Sequence, residues 1–333
     1  MILIPFKEMV KQFNRILIKH GFSEQRAKTC ATILAENSLD GVSSHGVNRF
    51  SLFVSRIKNG FMDPRAEPQK IASFGALEQW DGKMGPGPLN GQYCTTRAME
   101  LAEEFGLGCV ALRHTTHWMR GGAYGWQAVN AGFAFICWTN TMPNMPPWGA
   151  RGCKVGNNPL IFAMPRKNGP VVLDMAMSLF SYGKMETYRL KKEELPFYGG
   201  YDNQGNLTKN PSEILETWRP LPIGNWKGSG LSMVLDIFSS ILSGGLATYQ
   251  IGKLEDEYNL SQIFIAIDLK RMGTVQELNN IIEGIISDVH SSELAEGVSE
   301  IYYPGERALR TRKKNLIHGI PVEEKVWEEV LML

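Results

Sequence analysis

Through the first fifty positions, apolar residues recur at helical spacing. Met9, Phe13, Ile16 and Leu17 form one stripe on a helix predicted over residues 6–20, which Gly21 closes. Ser23 opens a second helix through about Leu39, stopped by Asp40 and Gly41, and a third is expected from about Ser44 to Lys58. The period changes beyond Pro64. Short apolar runs at 77–80, 108–112, 133–138, 160–164, 171–174 and 263–269 predict strands, and 91–105, 122–130, 231–242 and 275–291 predict helices. Arg166, Lys167, Asn168 and Gly169 form a turn between two of the strands, and residues 184–208 read as a polar, turn-rich stretch. Helices return at 305–315 and 322–330, separated by Gly319 and Pro321. The pattern therefore predicts an α/β chain in which a mixed-sheet domain, residues 71–304, is inserted into a helical domain built from residues 1–70 and 305–333.

Composition narrows the function by exclusion. In 333 residues, Lys plus Arg number 35 against 34 Asp plus Glu, so no overall field draws the chain to nucleic acid or to a membrane surface. An anionic ligand would need a local cationic pocket. No run approaches the roughly 18 apolar residues of a membrane span, and the apolar start is too short for a secretion signal. Five scattered cysteines fit reduced thiols in the cytoplasm better than a disulfide framework or a zinc knuckle.

Three clusters carry chemistry. In the first, Ser44 is expected to cap the third helix, which sets His45 and Arg49 four apart on one face. A guanidinium grips a carboxylate through two parallel hydrogen bonds, and an adjacent imidazole donates a proton to a ketone oxygen. The pair suits a 2-keto acid, but on the residues alone a capping histidine beside a surface arginine is the more ordinary reading. The second cluster is Arg113, His114, His117, Arg120 and two glycines, directly after a predicted strand. No Asp, Glu or Cys lies close enough in sequence to complete a metal set, so a polar pocket wall is expected, with His117 rather than His114 facing inward. The third, Gly224 to Gly230, surrounds Trp226 and Lys227 with small residues ahead of an apolar helix, as a phosphate site or a simple glycine-rich helix start would. Gly85, Gly87 and Gly91 come nearest to a dinucleotide fingerprint. That stretch is one residue too long, carries two prolines and shows no βαβ unit with a ribose-binding acid, so a Rossmann site is not expected.

The chain resembles the malate/L-lactate dehydrogenase-type oxidoreductases that lack a Rossmann fold. The resemblance rests on SHGVNRF from Ser44, EQWD from Glu78, HWMRGGAYGWQA from His117, ICWTN from Ile136 and MPPWGA from Met145. It continues with NPLI from Asn158, DMAMSLFSYG from Asp174, WKGSG from Trp226, SQIFIA from Ser261 and PGE from Pro304. These segments come in family order and span nearly the whole chain; HWMRGG and MPPWGA point to a branch acting on a sugar-derived 2-keto acid. The resemblance implies reduction of a small anionic 2-keto sugar acid with NAD as cofactor, NADH preferred and NADPH the alternative, by a cytoplasmic homodimer without a metal. It implies His45 as proton donor, with Ser44, Arg49 and His117 beside the substrate. Cofactor contacts are implied for Pro170, Val171, Val172, Leu173, Asp174, Met175 and Ala176, for Trp226 and Lys227, and for Gly305, Glu306 and Arg307. The helical domain would serve substrate and dimer, and the mixed-sheet domain the cofactor. Asn157 departs from the family's usual Thr, and the stretch at Gly305 is variable.

Within the family, the competing activities are malate, lactate or ureidoglycolate dehydrogenase and cyclic imine reductase. Outside it stands a sugar-acid-binding protein in which His45 and Arg49 only hold ligand. The dimer has its own argument: Val322, Val326, Trp327, Val330 and Leu331 make the last helix too apolar for an uncovered surface.

Overall fold

A computed structural model describes all 333 residues. The chain starts with a strand that periodicity did not reveal, β1 (Ile2–Ile4), followed by α1 (Phe6–Lys19) and α2 (Glu24–Leu39). Met9, Phe13, Ile16 and Leu17 are fully buried, as their spacing predicts, and Phe13 stacks on Phe50 at 3.9 Å between ring centroids. The third helix differs from expectation. Residues Ser43–His45 form a 3-10 turn, and α3 (Val47–Lys58) begins only after Gly46. Ser44 is therefore not its cap. The cap comes from α2, where Ser38 Oγ accepts the Val47 N–H at 2.8 Å.

A seven-stranded sheet follows. Its members are β2 (Gln69–Phe74), β3 (Leu77–Asp81), β4 (Leu107–Thr116), β5 (Phe133–Thr139), β6 (Leu160–Met164), β7 (Val171–Met175) and β10 (Tyr258–Asp268), in the order β2-β3-β4-β10-β5-β6-β7. On one face pack α4 (Gly87–Phe105) and α5 (Gly122–Asn130), around Trp118, Tyr124, Phe135 and Phe264. The other face is covered by α8 (Trp226–Ser243), through Leu235 against Ala111, Trp138 and Ile263. Burial on both faces explains why the central strands read as unbroken apolar runs.

Between β7 and α8 the chain forms α6 (Tyr182–Lys191), the hairpin β8 (Gly200–Tyr201) and β9 (Leu207–Thr208), and α7 (Pro211–Thr217). The first of these helices was hidden in the polar stretch because only Met185 of it is buried. A short α9 (Thr248–Ile251) precedes β10, and α10 (Val275–His290) follows it, opened by a capping box of Thr274 and Glu277.

The structure does contain a βαβ unit, contrary to expectation: β3, α4 and β4 form a parallel pair with its crossover helix. It is nonetheless closed to a dinucleotide. The Gly87 N–H is taken by Thr116 Oγ1 at 2.9 Å, and a Cβ at Gly87 would lie 2.3 Å from the His117 carbonyl oxygen. Backbone therefore fills the space where a phosphate would approach.

The chain ends with α11 (Glu306–His318), β11 (Ile320–Val322) and α12 (Glu324–Met332). Here β11 pairs antiparallel with β1, Ile2 opposite Val322, which ties both ends of the chain into the helical core. This overturns the dimer argument drawn from the last helix. Val322, Trp327 and Val330 are buried against α1 and α3 of the same chain, leaving Leu331 exposed. An uncovered apolar stripe lies instead on α8, where Met233, Ile237, Phe238 and Ile241 face outward.

Candidate active site

The helical lobe and the sheet meet where the 3-10 turn faces the end of β4. Glycine 46 makes the approach possible: a Cβ there would lie 2.1 Å from Ser38 Oγ and 2.9 Å from the Leu34 carbonyl oxygen. Pressed onto α2 in this way, the turn is pinned by Asn37 Nδ2, which donates to the His45 carbonyl at 2.9 Å. On the ring side, Ser44 Oγ lies 3.1 Å from His45 Nδ1. Across the junction His117 stacks on His45, with centroids 5.8 Å apart and planes 18° from parallel. The second cluster starts within β4 rather than after it, since Arg113 to Thr116 are ladder residues. Of its histidines, His117 turns inward, while His114 turns to Asp81 at 2.9 Å.

The two facing imidazoles differ in chemistry. His117 Nδ1 accepts the Met119 N–H at 2.9 Å, so that nitrogen carries no proton and Nε2 does. Burial, then Arg49, His45 and Arg56, hold the His117 cation well below its ordinary range. His45 is also held neutral, at about 4, by burial and by the Arg49 and Arg120 guanidiniums. Its Nδ1 faces Ser44, which leaves Nε2 for a ligand.

The cations around the pair are not equivalent. Arg56 is gripped by Asp256 through bonds of 2.9 and 2.6 Å. Arg120 donates to Asp40 at 2.6 Å and lies 3.6 Å from Asp174. Arg49 forms no hydrogen bond or ion pair with any other side chain. The residue is half-buried, and burial depresses its pKa against the pull of the Glu257 and Asp256 carboxylates. A residue absent from the sequence reading, Glu257, faces the same space: its Oε1 is buried, lies 3.7 Å from His117 Nε2 and lacks a hydrogen-bond partner. Its proximity to His117 follows from strand pairing, because Tyr258 sits opposite Thr116.

The segments expected to hold a cofactor lie along the outer strand β7 and its continuation. At its start the Val172 N–H donates to the Pro304 carbonyl at 2.9 Å, which brings Gly305 against the strand. Gly305 has φ +95° and a Cβ there would lie 3.0 Å from Val172 N, so the approach requires glycine. Past the strand, Met177 accepts the Ile223 N–H at 2.7 Å, immediately ahead of Trp226 and Lys227 in the first turn of α8. Trp226 and Lys227 are exposed, and Arg307 stacks on Tyr302 at 4.1 Å. Glu306 is occupied within the chain by Arg310 at 2.7 Å and His290 at 3.3 Å. Asp174 accepts the Gly122 N–H at 2.9 Å at the start of α5. Asn157 forms a reciprocal pair with Asn144, at 2.7 and 3.0 Å.

Residues 4–331 match the family model described as malate/L-lactate dehydrogenase. The chain belongs to the malate/L-lactate dehydrogenase family. Among its relatives is a 2,3-diketo-L-gulonate reductase of Citrobacter koseri, 44% identical over 332 residues and covering 99% of each chain. A protein of the same name from Klebsiella pneumoniae is 43% identical over the same length, again covering 99% of each. Of solved structures, the malate dehydrogenase of Entamoeba histolytica superposes with a TM-score of 0.94 at 25% identity, covering 99% of this chain and 96% of that one. The malate dehydrogenase of Pyrococcus horikoshii gives 0.89 at 30% identity, covering 98% and 93%. The family acts on 2-hydroxy acids, and this chain is an oxidoreductase of that kind.

Proposed function

We propose that the chain reduces the 2-keto group of 2,3-diketo-L-gulonate to give 3-keto-L-gulonate, with NADH preferred over NADPH. The observation that carries this reading is the unpaired Arg49 beside two neutral, facing imidazoles. Full-length relatives at 43–44% identity supply the substrate's name. Arg49 binds the substrate carboxylate, which sets the neighbouring carbonyl between His45 and His117. His117 Nε2 donates a hydrogen bond, and His45, which takes up a proton when the anion seats on Arg49, delivers that proton from Nε2 to the carbonyl oxygen and returns to the neutral imidazole. When bound, the nicotinamide supplies hydride to the keto carbon.

Support for a nicotinamide dinucleotide comes from the outer strand. Gly305, held against Val172, keeps the Pro304–Arg307 segment beside the strand, and the exposed Trp226 and Lys227 offer an aromatic surface and a charge to one extended ligand. Glu306 would contribute through its backbone, since its carboxylate is engaged. The stripe of Met233, Ile237 and Ile241 on α8 repeats every four residues and fits a second copy of the chain, so the enzyme is a homodimer in this reading. Five free thiols fit a reducing cytoplasm, and no helix is long and apolar enough to cross a membrane.

The test is a panel of 2-keto acids assayed with NADH and with NADPH. Oxidation of NADH with 2,3-diketo-L-gulonate at a kcat/KM above that for pyruvate supports the reading. Unchanged NADH fluorescence on addition of the protein, with no turnover of any keto acid, overturns it in favour of a sugar-acid binder. For the proton donor, His45→Gln should lower kcat by about 10²-fold or more while NADH still binds.

A further inference from the structure

Arg49 and Glu257 are opposite charges that influence each other across the site, yet no hydrogen bond or ion pair joins them. Two such groups sharing a poorly solvated space would pair unless geometry kept them apart. Here they stay unpaired, Arg49 on α3 and Glu257 just ahead of β10. Arg49 has no side-chain partner, and although the Met142 backbone N–H also serves the Glu257 carboxyl, Oε1, the oxygen 3.7 Å from His117 Nε2, has no hydrogen bond. Glu257 is only 7% exposed, and its Oε1 is a buried acceptor without a donor. Leaving such an acceptor unsatisfied costs free energy, so its retention calls for a donor supplied from outside the chain. His117 Nε2, at 3.7 Å, is close but beyond hydrogen-bond length. Nor is the carboxylate needed to neutralise Arg56, whose guanidinium is already held by Asp256.

We propose that Glu257 is a specificity-determining residue that accepts a hydrogen bond from a hydroxyl of the substrate, so that the site selects polyhydroxylated 2-keto acids over those with an apolar or absent side chain. A carboxylate bound at Arg49 and a hydroxyl bound at Glu257 fix a substrate at both sides of its carbonyl. An apolar chain in the same position leaves the carboxylate buried and unpaired, a penalty by which enzymes built to bind a hydroxyl reject analogues lacking it. Burial raises the Glu257 pKa while Arg49 and Arg56 oppose the rise. Either protonation state retains a lone pair for a donor.

The proposal rests on the keto-acid reading, and its test separates the two. The intact enzyme is assayed with 3-hydroxypyruvate, which carries a hydroxyl beside the ketone, and with pyruvate, which does not. Glu257→Gln, of nearly the same shape, and Glu257→Leu, which removes the acceptor, are compared with the parent. For Glu257→Leu, the parent's preference for hydroxypyruvate in kcat/KM should fall by about 10- to 100-fold, the scale of a hydrogen bond to a charged group. Pyruvate kcat/KM should fall by less than that of hydroxypyruvate, so the ratio of the two carries the result. Glu257→Gln should lie between the two, since its amide oxygen still accepts. Equal loss on both substrates would overturn the proposal and make Glu257 a charge partner for Arg49. So would an unchanged preference. If the parent enzyme reduced neither these two acids nor 2,3-diketo-L-gulonate, the keto-acid reading itself would fail. Thermal melting of each variant separates a specificity change from loss of the fold.

Discussion

If burial, together with Arg49 and Arg120, holds His45 neutral, an anionic ligand on Arg49 should bring a proton with it. The free enzyme has His45 at about 4, through burial and the two guanidiniums. A carboxylate seated on Arg49, about 5 Å from the imidazole, favours the cation by about 3 kcal/mol at an effective dielectric of about 20. That corresponds to about 2 pKa units, which lifts His45 to about 6. At pH about 5.5 the free site then holds about 0.03 proton and the complex about 0.8, for a net uptake of about 0.7 proton. Oxamate is a suitable ligand because it carries a carboxylate next to a carbonyl and cannot turn over. Isothermal titration in two buffers of different ionisation enthalpy, with and without NADH, reads the uptake directly. His45→Gln should abolish most of it, and Glu257→Gln should leave most of it. Uptake below about 0.2 proton in the parent would refute the coupling. Equal uptake in His45→Gln would place the proton elsewhere, with Glu257 the next group to test.

Gly183→Ala should damage catalysis more than folding: the new Cβ would lie 2.6 Å from Ser44 Cβ and 2.7 Å from its Oγ, and a shift of about 1 Å at a catalytic group costs about 10²-fold in kcat. Circular dichroism and kcat measured on the same preparation check this. Glu78→Gln should do the reverse, lowering stability by about 3 kcal/mol in urea at neutral pH with turnover retained. Although burial opposes it, the Glu78 carboxyl is held at about 2 by hydrogen bonds from Arg97, Trp80 and Lys70. Its pKa is depressed on folding, so its contribution is present above the unfolded value near 4.5 and is lost as pH falls toward about 2. The parent, but not the variant, should show that loss in an acid titration of the melting temperature. Ile241→Asp, on the outer stripe of α8, should convert a sedimenting species near twice 37.3 kDa to one near the single-chain mass. A parent that sediments as an active monomer would refute the dimer.

Strong periodicity made most of the fold legible. In α1 the four apolar positions at helical spacing are the four that become fully buried, and the central strands appear as apolar runs because helices cover both faces. The misses share a physical cause. β1 and β11 are three residues each and are defined by each other across more than 300 positions, a pairing that no local window contains. α6 buries one residue and so carries little amphipathic signal. The last helix is the opposite case. Its apolar stripe was plain, but the surface covering it is formed by α1 and α3, at the far end of the chain.

In the candidate site, what could be read depended on whether a residue's role was local. The His45–Arg49 pair stands out because an imidazole and a guanidinium lie four apart, yet the backbone supporting it is set by α2. Ser38 rather than Ser44 caps α3, Asn37 anchors His45, and Gly46 is glycine because Ser38 and Leu34 leave no room for a Cβ. A one-dimensional pattern assigns the cap to the nearest serine, whereas the fold delivers one from the preceding helix. Glu257 is the clearer case. It lies 140 residues from His117 in sequence, amid the charged run Glu255-Asp256-Glu257, where a solvated turn is the ordinary expectation. Only the antiparallel register of β4 and β10 sets it opposite His117, and only burial makes its empty oxygen significant. The groups expected to work on the keto acid itself were thus visible as a motif. The group proposed to choose among keto acids is supplied by tertiary pairing, so that selectivity can change at the start of β10 while the turn bearing His45 and the helix bearing Arg49 stay as they are.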